Sequence, residues 1–176
     1  MNPTITMAEA LAVRAAIKRL IHQLEQERIT NSVAVIDKGE TAEYPARTVD
    51  IITAELERAM RDYRQLDLRM ATANTVNVIQ WDGGTITVME AIELAKQMRS
   101  EIEQLRVLGG RKKMERQYAG GYGERSNHLF SVTLYDPDAY LTLARKKERE
   151  ATKLSSLIEH SNHMCVIEFD SSPYMD

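Results

Sequence analysis

The 176 residues contain one cysteine, Cys165. No intrachain disulfide can therefore form, and no cysteine cluster can hold a metal. Such usage fits a reducing compartment, and a cytoplasmic protein is expected, in the host cytoplasm if the chain is phage-encoded. Long apolar runs are also missing: none reaches the roughly 18 residues that suggest a membrane span. The opening MNPTITMAEALAVRAAIKRL lacks the charged start and unbroken apolar core of a signal peptide. An unexported protein with no membrane partner is the expectation. Of the four histidines, only His160 and His163 are close in sequence, and no third ligand lies at metal spacing. No serine has a recognisable nucleophile setting, and Cys165 lies in the apolar run MCVIEF as a small packing residue. With no metal, no cofactor and no catalytic set in view, a non-enzyme is expected. No long-period repeat and no break in composition divides the chain, so residues 1–176 are read as a single helical domain.

Helical periodicity is what the sequence does have. Thr6 and Glu9 have capping-box spacing and open a helix over about 6–30 through Met7, Ala10, Ile17, Ile21 and Leu24. Over about 48–73, Ile52, Leu56, Ala59, Tyr63, Leu66, Met70 and Ala73 alternate steps of four and three, which makes a coiled-coil-like seam. Thr87 and Glu90 start a third helix, about 87–108, carried by Ala91, Ala95, Met98, Ile102 and Leu105 and stopped by Gly109 and Gly110. Asp136 followed by Pro137 opens a fourth, about 136–163, with Tyr140, Ala144, Ala151, Leu154 and Ile158 on one stripe.

Between these, VNVIQWDGGTIT (76–87) predicts a hairpin around an Asp-Gly turn, and residues 31–47 form a longer linker. HLFSVTLY (128–135) and MCVIEF (164–169) read as strands that pair with each other or with the hairpin. The expected fold class is mainly α: a four-helix antiparallel bundle with coiled-coil-like seams plus a short β-hairpin or small sheet at one end. The exposed part of the seams predicts a homo-oligomer, a dimer or higher.

Charge is unevenly spread. The chain has 23 Lys and Arg against 26 Asp and Glu, a net of −3, which argues against duplex nucleic acid as a partner. Yet GGRKKMERQYAGGYGERSNH (109–128) holds five cations against two carboxylates, a local +3 that leaves −6 for the rest. Its five glycines free the backbone, its arginines match phosphate oxygens with a planar fork, and its tyrosines offer stacking faces. The alternative is a solvated loop whose charge serves solubility. Arg14, Arg28 and Lys147 fall on otherwise apolar helix stripes, so each must find a carboxylate, reach solvent or face an anion. Arg28, with Asn31, lies at a helix end that a ligand can reach. Gly83 and Gly84 also precede a helix start, a weak anion signal without phosphate-loop spacing. The candidate ligand-binding set is Arg28, Asn31, Arg111, Arg116, Tyr118, Tyr122, Arg125 and Ser126.

MAEALAVRAAIKRLIHQLEQERITNSVAV, Asn74 and Thr75, DGGTIT (82–87), YGERS (122–126) and LSSLIEHSN together resemble the septicolysin-like family of small bacterial and phage helical proteins of unknown function. The resemblance spans nearly the whole chain and implies a helical fold. Three function classes follow. One is a non-enzymatic protein that sequesters a small phosphorylated or nucleotide ligand, as a phage counter-defence sponge for immune signalling nucleotides does. A second is a structural or interaction oligomer without a small ligand. The third is the cytolysin-like activity that the family name implies.

Overall fold

A computed structural model describes residues 3–117 and 129–175. The chain is mainly helical, with four long helices and three separate two-stranded sheets among the described residues. It divides into two compact units, one of residues 1–78 and 159–176 and the other of residues 79–158.

In the first unit, strand β1 (Thr4–Thr6) leads into α1 (Met7–Thr30), and a linker leads to α2 (Val49–Val76). The capping box is present: the Thr6 hydroxyl accepts from the Glu9 N–H, and the Glu9 carboxylate accepts from the Thr6 N–H at 2.7 Å. That backbone N–H also holds the Glu9 carboxyl below its usual range. Thr48 caps α2 by accepting from Ile51 N–H. The α2 seam is the core. Ile52, Leu56, Ala59, Leu66, Met70 and Ala73 are buried against Met7, Ala10, Val13, Ile17 and Leu24 of α1. Two links fix the pairing as antiparallel, Arg14 to Asp67 near one end and Glu27 through Arg47 to Glu55 near the other.

The second unit contains the hairpin of β2 (Val78–Trp81), apart from its first residue, and β3 (Gly84–Thr87), followed by α3 (Val88–Gly109). Asp82 and Gly83 both have positive φ, 50° and 77°. This is the mirror-image turn that Asp-Gly favours in two-residue hairpins. Because β3 intervenes, the glycine turn does not open the helix, and the anion signal read there loses its geometric basis. α3 is capped by Thr87, which accepts from Glu90 N–H. Next come β4 (Met114–Gln117), β5 (Leu129–Val132) and α4 (Pro137–Met164). Asp136 accepts from Asp138 N–H at 3.3 Å, the expected cap ahead of Pro137. Val88, Ala91, Ala95, Met98 and Ile102 pack with Ala151 and Leu154 of α4.

The strand pairings differ from expectation. Residues 129–132 pair with β4, and β6 (Val166–Glu168) pairs antiparallel with β1 in the register Thr4↔Glu168 to Thr6↔Val166. The two expected strands therefore pair neither with each other nor with the hairpin. MERQ carries no alternation of apolar and polar residues that marks a strand, and TIT is too short to stand out. Both were partners that only tertiary structure reveals.

Candidate functional site

The charges on helix stripes resolve first. Arg14 Nε lies 2.7 Å from Asp67 Oδ1, and its guanidinium sits over the Tyr63 ring, 5.6 Å from the centroid. Lys147 Nζ lies 2.8 Å from Glu101 Oε2 on the neighbouring helix. These two are internal ion pairs at half-exposed positions. Arg28 is different: in the last turn of α1, it makes no ion pair among the described residues, and its charge favourably faces the helix C-terminus. Asn31 is a fastener. Its backbone N–H caps α1 by donating to Glu27 and Ile29, and its amide Nδ2 donates to Arg47 O at 2.9 Å. Arg47 in turn bridges Glu27 and Glu55, at 2.6 and 2.7 Å, and these carboxylates push its pKa further up. The linker is thus tied at both ends to the helices it joins.

The basic stretch forms a ribbon. β4 and β5 pair in the register Met114↔Val132, Glu115↔Ser131, Arg116↔Phe130 and Gln117↔Leu129, and Thr133 N–H extends the ladder to Lys113 O. Tyr118, Tyr122, Arg125 and Ser126 lie outside the described residues. At the foot of the ribbon is a concavity of about 800 Å³, lined by Gly110, Arg111, Lys112, Glu115 and residues 131–135. Arg111 makes no ion pair among the described residues, whereas Lys112 lies 3.5 Å from Glu115 and Lys113 lies 3.6 Å from Asp136. Tyr135 forms one wall. Its hydroxyl donates to Leu108 O at 3.0 Å, and its ring meets Tyr140 edge-on with centroids 5.0 Å apart.

Strand alternation separates two of the candidates. Glu115 and Ser131 share one face of the ribbon, while Arg116 lies on the other with Phe130, Met114 and Val132, of which only Val132 also lines the concavity. Arg111 lines the concavity and Arg116 does not. Arg28 and Asn31 belong to the first unit, Arg111 and Arg116 to the second. Sequence reasoning missed Lys112, Ser131, Thr133 and Tyr135 as lining residues. HLFSVTLY signalled a strand, but not that it returns beside the basic segment.

A second recess, of about 430 Å³, lies in the first unit and includes Arg58, Asp62, Arg69 and Asp170. Most of its polar groups are already partnered: Arg69 donates to Glu168 O, Tyr174 OH donates to Asp62 at 2.6 Å, and Ser172 donates to Asp170. These bonds hold the C-terminal segment on α2.

Among the described residues, no group of three His, Cys, Asp or Glu is placed to hold a metal. Cys165 is half-buried, accepts from Asn77 Nδ2 at 3.1 Å, and has its thiol pKa pushed up by burial. No described helix is long and apolar enough to cross a membrane.

No family model matches the chain, and no curated protein matches it. Among solved structures, it is similar to a functionally unknown conserved protein from Corynebacterium diphtheriae, with 18% identity and a TM-score of 0.67, over 94% of this chain and 99% of that one. At that identity the likeness shows the fold alone.

Proposed function

We propose that this chain is a non-enzymatic binding protein that captures a small phosphorylated or nucleotide ligand at the foot of the β4–β5 ribbon, without altering it. The observation that carries this reading is Arg111. Its guanidinium has no ion-pair partner among the described residues, and it lines a concavity large enough for a nucleotide-sized ligand. Lys112 and the Ser131 hydroxyl stand on the same walls, and two cations face one carboxylate there. A guanidinium offers a fork of donors to a phosphate, Lys112 adds a point charge, and Tyr135 supplies an apolar wall. Tyr118, Tyr122, Arg125 and Ser126 belong to the same stretch and are proposed to extend the site, and Arg116, on the other face of the ribbon, is proposed to add to the positive field around it. Arg28, at the end of α1 in the first unit, is proposed as a separate anion contact. The septicolysin-like resemblance is compatible with this role and assigns no chemistry of its own.

Calorimetric titration with mono-, di- and cyclic nucleotides tests the reading. Wild type is expected to bind at least one of them, with affinity falling as salt is added. Failure of the whole panel, or unchanged binding by an Arg111→Ala, Arg116→Ala, Arg125→Ala triple variant, removes it in favour of a scaffold.

A further inference from the structure

Among the described residues, the second unit leaves one strand edge open. β5 pairs with β4 on one side, and the sheet has no third strand among the described residues. Thr133 N–H bonds to Lys113 O, so in an antiparallel ladder residues 129, 131 and 133 point their backbone groups at β4. The N–H and C=O of Phe130 and Val132 therefore point outward. Leu129, Phe130 and Val132 are all about half exposed, and Leu134 is 96% exposed. Such an edge is normally blunted by lysine, proline or a bulge. LFSVTLY, residues 129–135, has no charge and no proline.

We propose that β5 pairs with β5 of a second copy of this chain, antiparallel about a two-fold axis at Ser131, making a four-stranded sheet in the order β4-β5-β5-β4. Charge selects a second copy as the occupant. A two-fold axis sets each residue against its own strand, which penalises a charged edge through like-charge contacts. The β4 strand carries Glu115 and Arg116 beside Lys112 and Lys113, whereas β5 is uncharged and meets itself without that cost. The register follows from the outward backbone groups: Phe130 and Val132 of one copy exchange hydrogen bonds with Val132 and Phe130 of the other. On one face this gives a continuous row running Met114, Val132, Phe130 and Arg116, with Val132 and Phe130 side by side across the new pair. The isolated two-stranded ribbon is marginal in water, and doubling it supplies the missing neighbours. Pairing does not require that a ligand bind.

Sedimentation equilibrium of the whole chain at micromolar concentration tests the pairing in the absence of any nucleotide. Wild type is expected at twice the chain mass. Val132→Pro removes only an outward N–H and not a bond to β4, and is expected to weaken association more than about ten-fold. Val132→Ala, which keeps that N–H, is expected to weaken it less. A second measurement stands apart from ribbon folding. In a Cys165→Ser background, Ser131→Cys sits at a non-hydrogen-bonded pair across the axis, with Cα atoms about 4.5 Å apart, and is expected to form an intermolecular disulfide on mild oxidation. Glu115→Cys, one strand further from the axis in each copy, is expected not to. A wild type that sediments as a single chain overturns the proposal. So does a Ser131→Cys variant that fails to cross-link, or a Glu115→Cys variant that cross-links as readily.

Discussion

Replacing Gly109 by alanine tests the placement of the ribbon through the helix that carries it. Gly109 closes the last turn of α3, where alanine is intrinsically better by about 0.8–1.0 kcal/mol. Helix propensity alone therefore predicts a more stable protein. Packing predicts the reverse. A Cβ at this position lies 2.9 Å from both the Cα and the backbone N of Leu141, in the first turns of α4. No side-chain rotation relieves contact with backbone, so the helices must separate by several tenths of an ångström. Overpacking of this kind costs about 1–3 kcal/mol, and subtracting the propensity gain leaves anything from near zero to a net loss of about 2 kcal/mol. At about 2–4 °C per kcal/mol for a chain of this size, Gly109→Ala should lower Tm by up to about 8 °C and should not raise it. Gly84→Ala is the control, since a Cβ there meets nothing nearer than 3.8 Å. Thermal melts followed by circular dichroism read both variants. A Gly109→Ala protein more stable than wild type, as helix propensity alone predicts, refutes the close approach of α3 to α4 and with it the position of the ribbon's first residues.

Other outcomes follow from the same contacts. Arg28→Ala should leave Tm nearly unchanged, because Arg28 makes no ion pair among the described residues; a large Tm loss would contradict this. Asn31→Ala should cost about 0.5–1.5 kcal/mol, read by urea denaturation, through loss of its hydrogen bond to Arg47. Tyr174 has its phenol pKa raised, first by burial and then by its hydrogen bond to the Asp62 carboxylate. A folded pKa above the ordinary value of about 10 means stability that is fully present below that pH and is lost as pH climbs beyond it. Wild type should lose stability in that alkaline range relative to its own neutral value more steeply than Tyr174→Phe, and parallel pH profiles would refute the Tyr174–Asp62 contact. Arg111→Ala should weaken binding of whichever nucleotide binds by about ten-fold to more than a hundred-fold, the cost of one charge-assisted hydrogen bond, with Arg111→Lys recovering only part. Equal calorimetric affinities would remove Arg111 from the site.

The helices were legible because their signals are local. The Thr6–Glu9 box, the Asp82-Gly83 turn and the four-and-three spacing from Ile52 to Ala73 each lie within one element, and the structure places all three as read. Tyr63 is the one seam member left half-buried, and it is the residue beneath Arg14. Strand pairing was not legible. β1 finds β6 across most of the chain length, and neither TIT nor VIE names its partner. For the ribbon, residues 111–116 announced charge but not conformation, and 129–135 announced a strand but not its neighbour. Their juxtaposition, which brings Ser131, Thr133 and Tyr135 beside Arg111, is a consequence of tertiary structure.

Sequestration itself is tested most directly by equilibrium ultrafiltration. Purified protein in excess is mixed with the nucleotide panel, the filtrate is assayed for free nucleotide, and the retained fraction is heated to unfold the protein before a second assay. At least one nucleotide is expected to disappear from the first filtrate and to return, chemically unaltered and in full, after heating. A first filtrate that matches the protein-free control for every nucleotide contradicts binding, and a chemically changed nucleotide in the second contradicts a non-enzymatic role.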